Sequence, residues 1–256
     1  MTRAWIVIPT FDEADNLPAL VPAVRAAMAN SAPDLGCTIL VVDDNSPDGT
    51  GRIADRLAAR HRDVRVLHRP GKAGLASAYV AGFRRALAAG ADYVLEMDAD
   101  FSHDPADVPR LLAAARDGAD VVLVSRYVPG GGVDGWSLDR QLLSRAGGAY
   151  ARALLGSSIR DLTGGFKCFR ADALRAIDLA GIAADGYSFQ VEATYRAARK
   201  GQRIVEIPIV FSSRRAGHSK MSLAIAAEAL WRIPALRLAA ARRPSRRAPA
   251  ATAAPG

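Results

Sequence analysis

Short apolar runs rich in β-formers recur through this chain at Trp5–Pro9, Thr38–Asp43, Val64–His68, Tyr93–Asp98, Val121–Ser125 and Ile204–Phe211, and the first five are separated by segments patterned as helices. That alternation predicts an α/β fold, with a mostly parallel, Rossmann-like sheet and helices on both faces. The helical stretches are Ala14–Ala29, Thr50–Arg60, Leu75–Ala89, Pro105–Arg116 and Tyr187–Lys200. Asp48-Gly49-Thr50 and Ser102-His103-Asp104-Pro105 supply helix-start signals. Half of the 256 residues are apolar, so one large domain can bury its core without metal or disulfide staples.

In such a sheet, ligands bind beyond the carboxyl ends of the strands. The loops after the first, second and fourth runs are Pro9-Thr10-Phe11-Asp12-Glu13, Asp43 through Thr50, and Asp98-Ala99-Asp100-Phe101-Ser102, all rich in acids and hydrogen-bonding groups. Turn propensity accounts for some of that composition, but not for its concentration on one edge. Asp98 and Asp100 suit a hard divalent cation, which takes one or two carboxylates and completes its shell with substrate phosphate oxygens. No GxGxxG follows the first run, and Gly71-Lys72-Ala73-Gly74 lacks the rest of a Walker loop, which sets aside dehydrogenase and P-loop readings.

After the fifth run, Arg126 through Trp136 is Gly-rich and is expected to be a mobile loop over the site. Residues 137–155 then place Leu138, Leu142, Leu143, Ala146, Tyr150, Ala153 and Leu154 at helical spacing, with Arg140, Arg145 and Arg152 between them, as an amphipathic helix does. Residues 221–241 are also apolar, but Glu228, Arg232, Pro234 and Arg237 interrupt them. A membrane span needs about 20 predominantly apolar residues, so this segment reads as a helix in the membrane interface or one packed on the domain. Residues 242–256 hold no large apolar residue and are expected to be a disordered basic tail.

The net charge of +8 is uneven, since residues 221–256 carry six arginines against Glu228 alone. That segment suits an anionic membrane surface or nucleic acid, or simply aids solubility. A nucleic-acid-binding module would need aromatics among its cations or a recognisable motif, and neither is present. Cys37 and Cys168 have no zinc-spaced partners and read as thiols in a reducing compartment; no signal peptide precedes Trp5, which reads as cytoplasmic.

With strands and loops placed, the chain resembles the inverting GT-A glycosyltransferases of family 2, in the branch of polyprenol- or dolichol-phosphate mannosyltransferases. The resemblance covers about residues 4–225. It is carried by Ile8 through Leu17, Val41 through Thr50, Met97 through His103, Ser125-Arg126-Tyr127, Gly131 through Trp136, Asp161 through Lys167, and Arg214 through Lys220.

The resemblance implies a GT-A domain over residues 1–220, with the 137–155 helix at the acceptor and amphipathic C-terminal helices beyond. It implies that Pro9, Phe11, Glu13, Val42 and Asp44 hold the guanosine of GDP-mannose, with Lys72 also at the nucleotide sugar. Asp98, Ala99 and Asp100 would meet the diphosphate and an Mg²⁺ or Mn²⁺ ion, while Arg126, Arg214 and Lys220 would face phosphates. The chain departs from the family pattern at Phe11, commonly Tyr; at Ala76, commonly Gly; and at Ser102, where some members carry Gln near the metal.

The acceptor decides what else the chemistry needs. An alcohol requires a general base. A phosphate monoester, with a second pKa of about 6, is already largely dianionic at neutral pH and requires cations to position it. Arg126, Arg140, Arg214, Arg215 and Lys220 are plausible phosphate binders, with Arg126, Arg140 and Lys220 taken for the acceptor phosphate; Asp134, Asp139 and Asp161 are candidate bases. Asp161 reads as an organiser of the acceptor loop or a turn cap, His103 as a residue behind the metal region, and Trp136 as a contact for lipid or sugar or as core.

The expected reaction is transfer of mannose from GDP-mannose to a polyprenyl phosphate, with UDP-glucose as the alternative donor. The expected setting is the cytoplasmic face of the plasma membrane, with an anionic membrane surface and a membrane-anchored protein as partners and no nucleic acid.

Overall fold

The structure, a computed structural model, describes residues 2–182, 186–211 and 231–238. Seven strands form one sheet: β1 (Arg3–Thr10), β2 (Gly36–Asp43), β3 (Val64–His68), β4 (Tyr93–Glu96), β5 (Val121–Ser125), β7 (Lys167–Arg170) and β8 (Ile204–Pro208). Their order across the sheet is β3-β2-β1-β4-β7-β5-β8. All pairings are parallel except those of β7, which runs antiparallel between β4 and β5.

Successive strand residues serve opposite faces, as the two-residue period requires. Ile6, Ile8, Ile39, Val41 and Leu95 pack on one side under α1 (Leu17–Ser31), α2 (Thr50–Arg60) and α4 (Asp107–Arg116). Trp5, Val7, Leu40, Val42 and Val94 pack on the other under α3 (Leu75–Ala88), α6 (Ala171–Ala176) and α7 (Gly186–Arg199). Gly82 of α3 lets that helix approach β1, because a Cβ there would clash with a Val7 methyl. A third cluster joins Ala151 and Leu155 of α5 (Leu138–Leu155) to Leu123, Val191 and Ile233.

Four expectations are corrected. The strand β7 was not anticipated, because its first residue, Lys167, carries a charge where hydropathy predicts surface, yet is fully buried. The run Ile204–Phe211 is two strands, since Ile209 turns to donate to the Ser125 carbonyl and accept from Gly132, and β9 (Val210–Phe211) then leaves the main sheet. There it pairs with β6 (Gly132–Val133), so the Gly-rich stretch is pinned by a strand pair rather than loose over the site. Helices α1 and α4 also begin later than the pattern suggests, at Leu17 and Asp107.

The chain leaves β1 toward β2 and β3 on one side and returns to place β4 on the other, so the order reverses between β1 and β4. Crevices form outside the strand ends at such a point.

Candidate active site

The loops after β1, β2 and β4 meet at that crevice. The first is sewn to the second by three backbone donors: Asp12 N–H to Ser46 Oγ at 3.2 Å, Glu13 N–H to Thr50 Oγ1 at 2.9 Å, and Ala14 N–H to Asp48 Oδ2 at 3.0 Å. Asp12, Asn45 and Phe101, one in each loop, have φ of 58°, 57° and 60°, in the left-handed region that non-glycine residues seldom occupy. Backbone held there concentrates at functional sites, where surrounding contacts enforce it.

A cavity of about 250 Å³ opens between these loops. Pro9, Phe11, Glu13, Asp44 and Lys72 line one part, with the Lys72 ammonium 4.1 Å from the centre of the Phe11 ring. Asp44 is held by Arg69, whose Nη1 donates to Oδ1 at 2.6 Å while Nη2 donates to Ser77 at 2.8 Å. Sequence reasoning missed Arg69, although it is the first residue past β3, on the same edge as the three loops considered.

Asp98, Ala99 and Asp100 line the middle of the cavity. Tyr79 donates to Asp98 Oδ1 at 3.0 Å from full burial in α3. Burial and the negative charge of Asp98 push the phenol pKa well above its ordinary value, so the hydroxyl stays a donor. Asp100 Oδ1 accepts from the Ser102 N–H at 3.0 Å and from the Ser102 hydroxyl. His103 Nδ1 accepts the Asp98 N–H at 3.2 Å, its ring stacked on Phe166 at 4.8 Å. Burial lowers its pKa, so the imidazole stands neutral behind the loop.

The residues fit a divalent cation only in part, and in an informative way. Asp98 and Asp100 supply hard oxygens, but the described residues contain no group of three His, Cys, Asp or Glu side chains able to hold a metal. A diphosphate would have to complete the shell.

At the far end, Arg126 is 8% exposed and clamped by Asp161. Its Nε and Nη2 each donate at 2.7 Å to the two carboxylate oxygens, its backbone N–H donates at 3.0 Å, and Nη2 also reaches Thr163 at 2.7 Å. Burial would raise the Asp161 pKa, but the hydrogen bonds and charge of Arg126 outweigh it and hold the carboxyl below its usual range. Asp139 is likewise held low, by a hydrogen bond from Ser137. Both acids are therefore weaker bases than ordinary carboxylates.

Trp136 lines the cavity and stands between two guanidinium groups, Arg140 at 4.0 Å and Arg126 at 5.5 Å from its ring centre. The structure thus brings together Pro9, Phe11, Glu13, Asp44, Lys72, Asp98, Ala99, Asp100 and Arg126, with Arg140 at the rim through Trp136. Val42 does not join them: its side chain packs in the core with Val7 and Leu40, and only its carbonyl is engaged nearby, by Thr10. Ala76 is also core, so its Cβ does not crowd the cavity. Arg214, Arg215 and Lys220 lie outside the described residues.

Residues 5–178 match glycosyl transferase family 2. The chain belongs to this family. An undecaprenyl-phosphate mannosyltransferase of Micrococcus luteus is 49% identical over 238 residues, 93% of this chain and 95% of that protein. A polyprenol monophosphomannose synthase of Mycolicibacterium smegmatis is 46% identical over 232 residues, covering 90% and 85%. Among solved structures, the glucosyl-3-phosphoglycerate synthase of Mycobacterium tuberculosis in complex with Mg²⁺ and UDP superposes with a TM-score of 0.62 at 19% identity, over 93% of this chain and 79% of that one. At that identity the likeness establishes the shared fold, a GT-A arrangement with a mixed, mostly parallel seven-stranded sheet.

Proposed function

We propose that this chain transfers mannose from GDP-mannose to a polyprenyl monophosphate with inversion. The observation that carries the reading is near-full-length identity of 49% to an undecaprenyl-phosphate mannosyltransferase. A cleft with acids at its middle and cations at its far end supports it.

Phe11, Asp44 and Lys72 would hold the nucleotide, and Asp98 and Asp100 would hold a Mg²⁺ or Mn²⁺ ion. Such an ion, when bound, offsets the negative charge that builds on the leaving group. Arg140, with Arg126 behind it, would orient the acceptor phosphate. One of its oxygens bonds to the anomeric carbon from the face opposite GDP, while the bond from that carbon to the diphosphate oxygen breaks and its electron pair leaves with GDP. Asp161 and Asp139, held ionised with lowered basicity, suit an acceptor that arrives without a proton to remove.

The lipid part of the acceptor fits α5, where Leu138 is 77% and Leu142 66% exposed one turn apart. Residues 231–238 are helical through Pro234; they bury Ile233 against α5 while Trp231 and Leu238 face solvent. No described helix is long and apolar enough to cross a membrane. We take these apolar faces as a peripheral contact with an anionic membrane surface, within the proposed division into a GT-A domain to residue 220, an interface helix at 221–241 and a basic tail.

Incubating the protein with GDP-mannose or UDP-glucose, Mg²⁺ and a polyprenyl phosphate, then weighing the lipid product by mass spectrometry, tests the reading. A hexosyl-phosphate lipid from GDP-mannose is expected; product from UDP-glucose alone would replace the donor.

A further inference from the structure

Beneath the acids of the cleft lies a buried charge pair that the chemistry above does not use. Glu96 of β4 and Lys167 of β7 are register partners in the sheet, 3.2 Å apart and both fully buried. Taking two charges out of water costs several kcal/mol per ion, so such a pair calls for an explanation beyond stability.

Lys167 reaches one further residue, Gln190 of α7. Its ammonium donates to the Gln190 backbone carbonyl at 3.3 Å and to the Gln190 side-chain oxygen. An ammonium has donors only, so the amide atom turned toward it is the oxygen. That assignment fixes the other half of the amide as a donor. Glu96 meets this arrangement through Lys167, by the ion pair given above.

Gln190 is 3% exposed, and what remains exposed lines the cavity. Its Nε2 lies 3.5 Å from the point where a Cβ on Gly165 would stand, and Asp98 Oδ2 lies 3.8 Å from that same point. The amide therefore shares the part of the cleft next to Asp98, with Gly165 leaving the space between them open. Phe11, Asp44 and Lys72 mark the nucleotide part.

We propose that Gln190 recognises the sugar of the nucleotide sugar, donating an amide N–H to one of its hydroxyl oxygens, and that Lys167 is the positioning residue that fixes which way the amide faces. This rests on the donor reading given above. It adds a sugar-specific contact beside Asp98.

The test compares wild type with Gln190→Glu, which keeps an oxygen for Lys167 but replaces the NH₂ donor, and with the neutral double variant Glu96→Gln/Lys167→Met, which frees the amide to turn. Gln190→Leu serves as a check should the added carboxylate disturb folding. GDP affinity by titration calorimetry is expected to stay within about twofold of wild type in all of them, as for a contact the nucleotide does not make. The kcat/KM for GDP-mannose is expected to fall about 10- to 100-fold in Gln190→Glu and Gln190→Leu. It should fall about tenfold in the double variant, with no further loss when Gln190→Glu is added, because both changes remove one contact. Unchanged kcat/KM in folded Gln190 variants, or GDP affinity falling in step with it, overturns the inference while leaving the donor reading intact. A wild-type protein that neither binds GDP nor turns over GDP-mannose overturns both.

Discussion

At the middle of the cleft Asp98 and Asp100 sit on a loop locked from behind by Tyr79, Ser102 and His103, and the neighbouring loops are hydrogen-bonded to each other. At the far end, Trp136 and Arg140 sit where a two-residue strand gives way to a helix whose first leucines face solvent. In the proposed reading the first is the donor half, on the sheet edge where a leaving diphosphate would sit, and the second is the acceptor half, on an amphipathic surface that suits a lipid phosphate. Arg126 joins the two and is clamped by Asp161, whereas Arg140, among the described residues, rests on the Trp136 ring.

The largest effect should come from the donor half. Asp100→Asn keeps an oxygen for Ser102 but halves the charge available to a cation, and turnover with saturating Mg²⁺ should drop on the order of 10³-fold with the melting temperature unchanged. Near-normal turnover in a folded variant would remove the metal role and with it the contrast between the halves.

The clamp comes next. Asp161→Ala strips the partner from a buried guanidinium, and urea unfolding should show a loss of about 3–5 kcal/mol. The pH dependence has a definite sign. A carboxyl whose folded pKa lies below the ordinary 3.8 adds stability above that pH and loses it as pH falls through the folded value. Asp161→Asn should therefore flatten the acid limb of the stability curve below about pH 4. An acid limb as steep as wild type would mean the clamp does not carry the link between the two halves.

Arg140→Ala should lower kcat/KM for the lipid phosphate about 10-fold or more while GDP affinity holds, if the cation acts at the acceptor alone as proposed. Loss of GDP affinity would merge the two halves. The smallest effect is expected at Leu138 and Leu142, where replacement by Asp should shift stability by less than about 0.5 kcal/mol, these being exposed positions. The same changes should weaken sedimentation with anionic vesicles and spare transfer to a short-chain acceptor; undiminished vesicle binding would take the apolar face out of the acceptor half.

The donor half was legible in the sequence and the acceptor half less so, for physical reasons. Strand ends read from hydropathy put Asp44, Asp98 and Asp100 on one edge, since parallel topology leaves no other place for those loops. Lys167 and Gln190 were invisible as a site because a buried charge and a buried amide look like surface residues until their partners are known. The pinning of the Gly-rich stretch was equally hidden, since β6 and β9 are two residues each and meet only through the turn at Ile209. Arg126 could be named as a cation, but its bond to Asp161, 35 positions away, depends on the fold.

The most direct test of the account is to offer the wild-type protein GDP-mannose with radiolabelled sugar and two acceptors of equal chain length, a polyprenyl phosphate and the free polyprenol. A site that acts by positioning the acceptor phosphate with cations, as proposed, should mannosylate the phosphate and leave the alcohol untouched. Comparable transfer to the alcohol would show a working base in the cleft and contradict the division of labour between its two ends.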